Sequence, residues 1–286
     1  MIAAVLALAA AVGYGVSDFL SGSASRTVHY GRIALVAQSV MVLVTWTAVW
    51  AVPGEQSVGV VGWGLLAGVG ASLGTVLLYR GLGAGQMNVV APLSAATAAL
   101  VPVAFGIIAG ERPSWIVMSG VLLVIPAIWM ISSGERQPGE DRRLRKGAGD
   151  GLLAGVAFAV SYIALDQAPV GGGLWAAAYT QLAALIVIAS AVLLVIRPCP
   201  NPRSCGADLR RAYLAAAGAG LLGAVAVAAF LLATGYGLLV VTSVLTSLYP
   251  AVTVLLARVL LAEQTSRIQL IGLGVAAAGV VLVATG

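Results

Sequence analysis

Long stretches without a charged side chain dominate this sequence. The longest, residues 212–257, holds no Asp, Glu, Lys or Arg over 46 positions. A helix that crosses a bilayer needs about 20 apolar residues, so such runs are long enough to span it. Of the 286 residues 60% are hydrophobic and only 9% are charged, whereas a soluble domain carries about 25% charged residues. We therefore predict an all-α integral membrane protein.

The uncharged runs divide into ten predicted transmembrane helices. The 46-residue run is too long for one crossing, so we predict a hairpin at residues 234–237 (TGYG). Glycines at 171–173 predict a second break, because glycine clusters interrupt helices. The predicted helix cores are residues 2–20, 33–53, 57–79, 87–110, 114–133, 151–168, 172–196, 211–234, 237–261 and 266–285.

One strongly charged stretch lies near the middle of the chain. Residues 134–149 read GERQPGEDRRLRKGAG and carry both signs of charge. This stretch predicts two five-helix units, residues 1–134 and 150–286, which are joined by a polar linker at residues 135–149.

Similar residues recur at corresponding places in the two units. Gln38 and Gln181 are 143 residues apart, and Glu111 and Glu263 are 152 residues apart. Because each unit has an odd number of helices, the second unit begins on the side of the membrane opposite to the first. We therefore predict two inverted repeats, an arrangement that recurs in secondary transporters. At the 152-residue spacing Ser94 also corresponds to Thr246, and Thr97 to Tyr249.

The basic residues indicate the orientation of the helices. Of the 15 Lys and Arg residues, 14 lie in or next to the loops that connect predicted helices 1–2, 3–4, 5–6, 7–8 and 9–10. The other four loops hold only Arg112. Basic residues concentrate in cytoplasmic loops. We therefore predict that the loops after the odd-numbered helices face the cytoplasm and that both termini face outward. The predicted location is the plasma membrane of a bacterial cell.

Several short segments carry a family likeness. They are GYGVSDF at residues 13–19, LYPAV at 248–252, AEQ at 262–264 and the weaker GERP at 110–113. With ten helices in two units, the chain resembles the EamA-type branch of the drug/metabolite transporter superfamily. The resemblance implies a secondary carrier of small metabolites, not an enzyme, whose relatives often export amino acids or related compounds. Many relatives have cytoplasmic termini, whereas the charges here favour the reverse.

Asp18 is the clearest candidate for transport. An ionisable group at the centre of a membrane helix costs about 2.5–3.5 kcal/mol, so it needs a function or a partner. Tyr14, Ser17, Asp18 and Ser21 fall on one stripe of the first helix. We expect the carboxyl to face the helix bundle and to exchange a proton for substrate. The alternative is a carboxyl that reaches interfacial water or pairs with Arg26.

Other polar residues recur in the uncharged helices. Tyr162 corresponds to Asp18, and Asp166 one turn later is the second candidate for proton coupling, with an interfacial position as its alternative. Gln38 and Gln181 either contact substrate or bond across helices. Further candidates for the substrate path are Tyr79, Ser94, Thr97, Thr246 and Tyr249, and the candidate helix breaks are Pro92 and Pro250.

Tryptophans occur close to several predicted helix ends. Trp46, Trp50, Trp63, Trp115 and Trp175 share this position. Tryptophan is enriched at membrane–water interfaces. We therefore predict that these side chains anchor helix ends in the headgroup region.

Other classes of function fit the sequence less well. The string GAGLLG at residues 218–223 matches a dinucleotide-binding pattern, but that pattern needs a preceding strand, and here it lies in an uncharged run. No cofactor, metal site or nucleic-acid partner is predicted, and Cys199 and Cys205 are too few for a disulfide scaffold. A channel or a lipid flippase is the nearest alternative, and an intramembrane enzyme is a more distant one. The expected partners are a small-molecule substrate, the lipid bilayer and protons, and a homo-oligomer stays open.

Overall fold

A computed structural model describes residues 1–25, 27–83, 87–132, 141–194, 206–261 and 266–285. Every regular element within these ranges is a helix. In a bilayer each backbone N–H and C=O must find a partner inside the protein, and a helix satisfies them within one segment. The predicted all-α class is confirmed. Arg26, Cys199, Cys205 and Glu263 lie outside the described residues.

Each of the ten predicted segments coincides with helical structure. Seven helices are long and apolar enough to cross a membrane, and three shorter apolar helices complete the set found in the described residues. The helices are α1 (Ile2–Ser25), α2 (Tyr30–Ala48), α3 (Val58–Gly83), α4 (Met87–Ile108), α5 (Trp115–Ser132), α6 (Asp141–Asp166), α7 (Trp175–Leu194), α8 (Gly206–Tyr236), α9 (Leu239–Thr246), α10 (Tyr249–Leu261) and α11 (Arg267–Thr285).

The two predicted turns are confirmed. α8 ends at Tyr236 and α9 begins at Leu239, which places the turn at residues 237–238, at the end of the predicted segment 234–237. A single 3-10 turn at Val170–Gly172 separates α6 from α7. The predicted linker differs in its second part, because α6 begins at Asp141 and makes residues 141–149 helical.

The ninth predicted helix is broken, and the break lies just before Pro250. α9 ends at Thr246, and α10 begins at Tyr249. Proline lacks the N–H that would bond the carbonyl of residue 246, so the turn before Pro250 cannot continue as a regular helix. α4, by contrast, continues through Pro92. Pro92 is only the sixth residue of α4, so the missing donor falls close to the helix start and interrupts little.

The two predicted units pack against each other in a crossed pattern. α1 packs along α8, and α3 packs along α6. α2 contacts α7 and α8, while α3 contacts α7. α5 packs along α11. These contacts are symmetric. Exchanging α1 with α6, α2 with α7, α3 with α8 and α5 with α11 gives the same set of helix pairs.

Glycines allow close crossings at these contacts. A Cβ atom on Gly120 of α5 would lie 2.8 Å from the carbonyl oxygen of Gly279, and a Cβ atom on Gly279 would lie 3.0 Å from that of Gly120. Gly68 of α3 lies against the Thr180 carbonyl in the same manner. Membrane helices associate chiefly by close van der Waals packing, which small residues permit.

Large apolar side chains cover the outside of the bundle. Trp115 is 90% exposed and Val259 is 75% exposed, and Leu43 also points outward. A soluble protein rarely exposes broad apolar surfaces of this kind. The outer surface therefore suits a lipid environment, while small buried residues such as Ala7 and Ala95 fill the interior.

Candidate functional site

A cavity of about 160 Å³ lies within the bundle. Its walls come from α1, α2, α3, α6, α7 and α8, and Tyr249 at the start of α10 completes them. Helices from before and after the charged stretch at residues 134–149 therefore contribute to one space. The polar lining residues are Tyr14, Ser17, Asp18, Ser21, Gln38, Ser72, Thr75, Ser161, Tyr162, Thr180, Gln181 and Tyr249.

The predicted polar stripe of α1 lines this cavity along its whole length. Tyr14, Ser17, Asp18 and Ser21 all face it. The Ser17 hydroxyl donates to the carbonyl of Ala219 in α8 at 2.9 Å, which fixes the rotation of α1 against α8. This rotation turns the next residue, Asp18, toward the open space.

Asp18 is the only carboxylic acid among the lining residues that the structure describes, and none of these is basic. Within the described part of the chain, its carboxylate receives no hydrogen bond and forms no ion pair. Burying a charged group without a partner is costly. The Asp18 carboxylate is thus available to a ligand or to a proton that enters the cavity.

Gln38 of α2 and Gln181 of α7 meet at the cavity wall, and both are buried. Gln38 Nε2 donates to Oε1 of Gln181 at 2.7 Å and to the Gln181 backbone carbonyl at 3.1 Å. The bond joins the two helices, and its position on the wall also leaves the pair in reach of a bound molecule. This geometry is therefore compatible with both predicted roles of these glutamines, a bond between helices and a contact with substrate.

Three tyrosines line the cavity together with Asp18. Asp18 lies within electrostatic range of the Tyr14 and Tyr162 hydroxyls. The Tyr162 ring packs against Phe230, with ring centroids 4.6 Å apart, and this contact holds the ring in place. Tyr249 reaches the cavity from the break between α9 and α10. The site thus combines one carboxylate with several aromatic rings.

Four hydroxyl residues on the wall were not predicted from the sequence. They are Ser72, Thr75, Ser161 and Thr180. Ser72 and Thr75 lie three residues apart on one face of α3, and Thr180 and Ser161 each adjoin a predicted residue, but helical periodicity alone does not show which face turns toward the cavity. Three of the hydroxyls donate to carbonyls one turn earlier, at 2.8 to 2.9 Å.

Other predicted residues lie away from the cavity. Ser94 is fully buried between helices, and the carbonyl of Ser94 and the side chain of Thr97 pack closely on Gly155 of α6. The Thr246 hydroxyl donates to the Ala7 carbonyl at 3.4 Å. These three residues lie at helix contacts, not on the cavity wall. The side chains of Tyr79 and Pro92 lie outside the described part of the structure.

Asp166 also lies away from the cavity. It occupies the last position of α6. Its carboxylate accepts a hydrogen bond from Nε2 of the neighbouring Gln167 at 3.0 Å, and Gln167 is exposed. This location corresponds to the interfacial alternative for Asp166.

An aromatic cluster closes one end of the α2–α7 contact. Trp46, Trp50, Trp175 and Tyr179 have ring centroids 5.7 to 6.2 Å apart. Trp175 is only 6% exposed, so the predicted role of an interfacial anchor is wrong for this residue. α7 turns its first residue inward, against α2. Trp115, at 90% exposure, keeps the predicted outward position.

Glu111 has a contact that the sequence did not indicate. Its carboxylate accepts hydrogen bonds from the Leu239 and Val240 amides, at 2.6 and 3.0 Å. These amides begin α9, where backbone donors lack partners within the helix. A carboxylate from the α4–α5 connection thus caps a helix of the other unit, 128 residues away.

Residues 146–285 match the model of the EamA-like transporter family. The chain contains an EamA-like transporter domain. Over these residues, which include LYPAV at 248–252, the match confirms the resemblance drawn from the sequence. The family indicates a membrane transporter of small solutes.

The EamA-like domain provides one side of the cavity, with Tyr162, Gln181 and Tyr249. The preceding part of the chain provides the other side, with Asp18 and Gln38. A crystal structure of a protein is similar over 98% of this chain and 95% of its own length, with a TM-score of 0.75 and 18% identity. This likeness shows a shared fold. No curated protein matches the chain.

Proposed function

We propose that this chain is a secondary transporter that exchanges a small solute across a bacterial plasma membrane by alternating access, with the cavity as its binding site. One observation carries the proposal. The cavity lies between the EamA-like domain and the preceding helices, and it presents a carboxylate without a protein partner in the described residues. Secondary transporters typically bind substrate at such an interface, near the middle of the membrane.

The proposed architecture is ten transmembrane helices in two inverted five-helix repeats. The crossed packing of α1 on α8 and α3 on α6 supports it. So do the contact of Gln38 with its counterpart Gln181 and the packing of α5 against α11. In a two-fold arrangement a residue that meets its own counterpart lies near the axis. The axis would then pass near the α2–α7 and α5–α11 crossings.

Contacts across one end of the bundle support alternating access. The aromatic cluster covers the α2–α7 contact, and beside it the Glu55 amide donates to the Gly171 carbonyl at 2.9 Å. This bond ties the α2–α3 connection to the α6–α7 connection. By the distribution of basic residues, we assign this end to the outside and both termini to the same side. Transport then requires these contacts to separate in the alternate state.

Proton coupling through Asp18 is part of the proposal. A carboxyl in a cavity can hold either a proton or a substrate, and each would exclude the other. This would let a proton gradient drive accumulation. Asp166 is the weaker candidate for proton coupling. Its carboxylate bonds to the neighbouring Gln167, and it is not among the described residues of the cavity wall.

Solute flux from liposomes tests the proposed function. Purified protein is reconstituted into liposomes loaded with a defined mixture of amines, amino acids, sugars and nucleosides. Release is followed by mass spectrometry, with and without a pH gradient. We expect protein-dependent, saturable loss of a subset of these solutes, faster when a related solute is present outside. Conductance without saturation would indicate a channel, and transfer of labelled lipid would indicate a flippase.

A matched pair of variants links the flux to the cavity. Ala184 lines the cavity, whereas Ala277 is exposed on α11. Ala184→Phe should fill the space and abolish flux, and Ala277→Phe should leave it unchanged. Equal flux in both folded variants, checked by gel filtration and thermal melting, would place the transport path elsewhere.

A further inference from the structure

The charge balance of the cavity wall restricts what the cavity can bind. Among the described lining residues Asp18 is the only acid, and none is Lys, Arg or His. Nothing in the described wall therefore provides a cation for a carboxylate or phosphate group. A buried carboxylate needs a positive partner, and here that partner must come with the ligand.

The rings next to Asp18 favour the same sign of charge. Tyr14, Tyr162, Tyr249 and Phe158 line the cavity from α1, α6 and α10. A cation over an aromatic face gains about 0.5–2 kcal/mol, most strongly where water is excluded. Met41 adds a polarisable thioether to the wall. Aromatic rings around one carboxylate are a typical environment for an ammonium ion.

The remaining polar groups mostly present acceptors. Ser72, Thr75 and Thr180 each donate the hydroxyl hydrogen to a backbone carbonyl, which leaves oxygen lone pairs free. Gln38 uses its Nε2 group on Gln181, so its own side-chain oxygen stays an acceptor. Acceptors suit a ligand that carries N–H or O–H donors, such as a protonated amine.

The volume limits the size of the ligand. The cavity measures about 160 Å³. An engineered protein cavity of about 150 Å³ binds benzene, so a compact molecule of about six non-hydrogen atoms fits here. Larger amphipathic cations would require the cavity to open.

We propose that this cavity binds a small organic cation, an amine or quaternary ammonium ion, with Asp18 as its counter-ion and the rings of Tyr14 and Tyr162 against its methyl or methylene groups. This assignment rests on the transporter function proposed above and names its substrate class. It differs from the amino-acid class that the family resemblance implies, because the described residues of the wall offer no cationic partner for a substrate carboxylate.

Three probes of similar size and different charge test the assignment on the purified wild-type protein. Tetramethylammonium is the cation, tert-butyl alcohol the neutral counterpart and pivalate the anion. Binding is measured by isothermal titration and by intrinsic tryptophan fluorescence. We expect saturable binding of tetramethylammonium, and at least about tenfold weaker binding of the other two, because the attraction of close opposite charges in a partly dry site is strong. Binding of pivalate as tight as that of tetramethylammonium overturns the proposal.

Variants locate the binding. Asp18→Asn should weaken tetramethylammonium binding about tenfold or more and leave tert-butyl alcohol unaffected. Tyr162→Leu should weaken it roughly fivefold through the lost aromatic face. Asp166→Asn removes a carboxylate at the end of α6, outside the cavity, and should change nothing. Equal losses in Asp18→Asn and Asp166→Asn would indicate a non-specific charge effect and contradict the site.

The outcomes separate this inference from the proposed function. Tetramethylammonium binding without any solute flux in liposomes would support the cation site and contradict the transporter. Saturable flux of neutral or anionic solutes, with no tetramethylammonium binding and no inhibition by it, would support the transporter and overturn the cation site. Because binding is measured on the wild-type protein, poor folding of a variant leaves the three-probe comparison decisive.

Discussion

Gln38 and Gln181 hold α2 and α7 together through a side-chain hydrogen bond of 2.7 Å, from Nε2 of Gln38 to Oε1 of Gln181. Each comes from the second helix of its proposed repeat, and both are buried at the cavity wall. If α2 moves relative to α7, this hydrogen bond must either break or move with the two side chains. The pair therefore connects the stability of the bundle with the opening of the cavity.

Replacing these glutamines should separate their two roles. Gln38→Leu or Gln181→Leu alone leaves a buried amide without its partner and should cost about 1 kcal/mol of stability, the order found for polar contacts between membrane helices. The double variant Gln38→Leu/Gln181→Leu should melt close to wild type, because two apolar groups replace both partners. Solute flux should fall in all three. Gln167→Leu, at an exposed helix end, is the control, and additive losses of stability in the double variant would contradict a direct bond.

Asp18 should control coupling to protons. Asp18→Asn should insert normally, since it removes a charge that the bilayer disfavours. Its gradient-driven accumulation should disappear, while exchange of substrate down its own gradient can persist. Counterflow and pH-gradient-driven uptake, measured side by side, check this. Unchanged gradient-driven uptake with the same pH profile would make Asp18 a structural residue.

Substrate binding to the wild-type protein should weaken as the pH falls. Protonation removes the negative charge of Asp18, so a cationic ligand loses its counter-ion at acidic pH and keeps it at alkaline pH. The other titratable groups on the wall are Tyr14, Tyr162 and Tyr249, and tyrosine normally titrates near pH ~10, far above this range. Tetramethylammonium titrations at acidic, neutral and alkaline pH check the sign, and tighter binding at acidic pH would rule out a carboxylate counter-ion.

Glu111 should stabilise the start of α9. Glu111→Leu leaves the amides of Leu239 and Val240 without an acceptor and should lower stability by about 1–3 kcal/mol. Glu111→Gln keeps one side-chain oxygen and should lose less. Thermal melting in detergent measures both, with exposed Glu55→Leu as the control. A melting temperature of Glu111→Leu equal to that of Glu55→Leu would mean that water satisfies these amides equally well.

The glycine crossing of α5 and α11 should tolerate no side chain. A Cβ atom on Gly279 would meet Val124 at 2.6 Å and the Gly120 carbonyl at 3.0 Å, whereas Gly274 on the same helix has open space around it. Gly279→Ala should cost about 1–3 kcal/mol through overpacking. Gly274→Ala should be neutral or slightly stabilising, since alanine favours a helix. Melting temperatures in detergent compare the pair, and equal values would show that α11 shifts to make room.

Membrane class and helix positions followed from the sequence alone. In a bilayer the backbone has few alternatives to a helix, so uncharged runs and their turn residues were enough to locate α8, its hairpin and the break before α7. The stripe of α1 was also predictable, because helical periodicity places Tyr14 and Asp18 on one face. Gln38 and Gln181 stood out because an amide is rare in an apolar run.

The tertiary structure decided which polar residues share the cavity. Ser94 and Thr97 have the same residue types and spacing as Ser72 and Thr75, yet the first pair lies at a helix contact and the second lines the cavity. Periodicity defines faces within one helix. The direction of each face depends on how helices rotate and cross, and close approaches such as Gly68 on Thr180 set these crossings. For the same reason the contact from Glu111 to α9 and the inward position of Trp175 emerged only from the packed bundle.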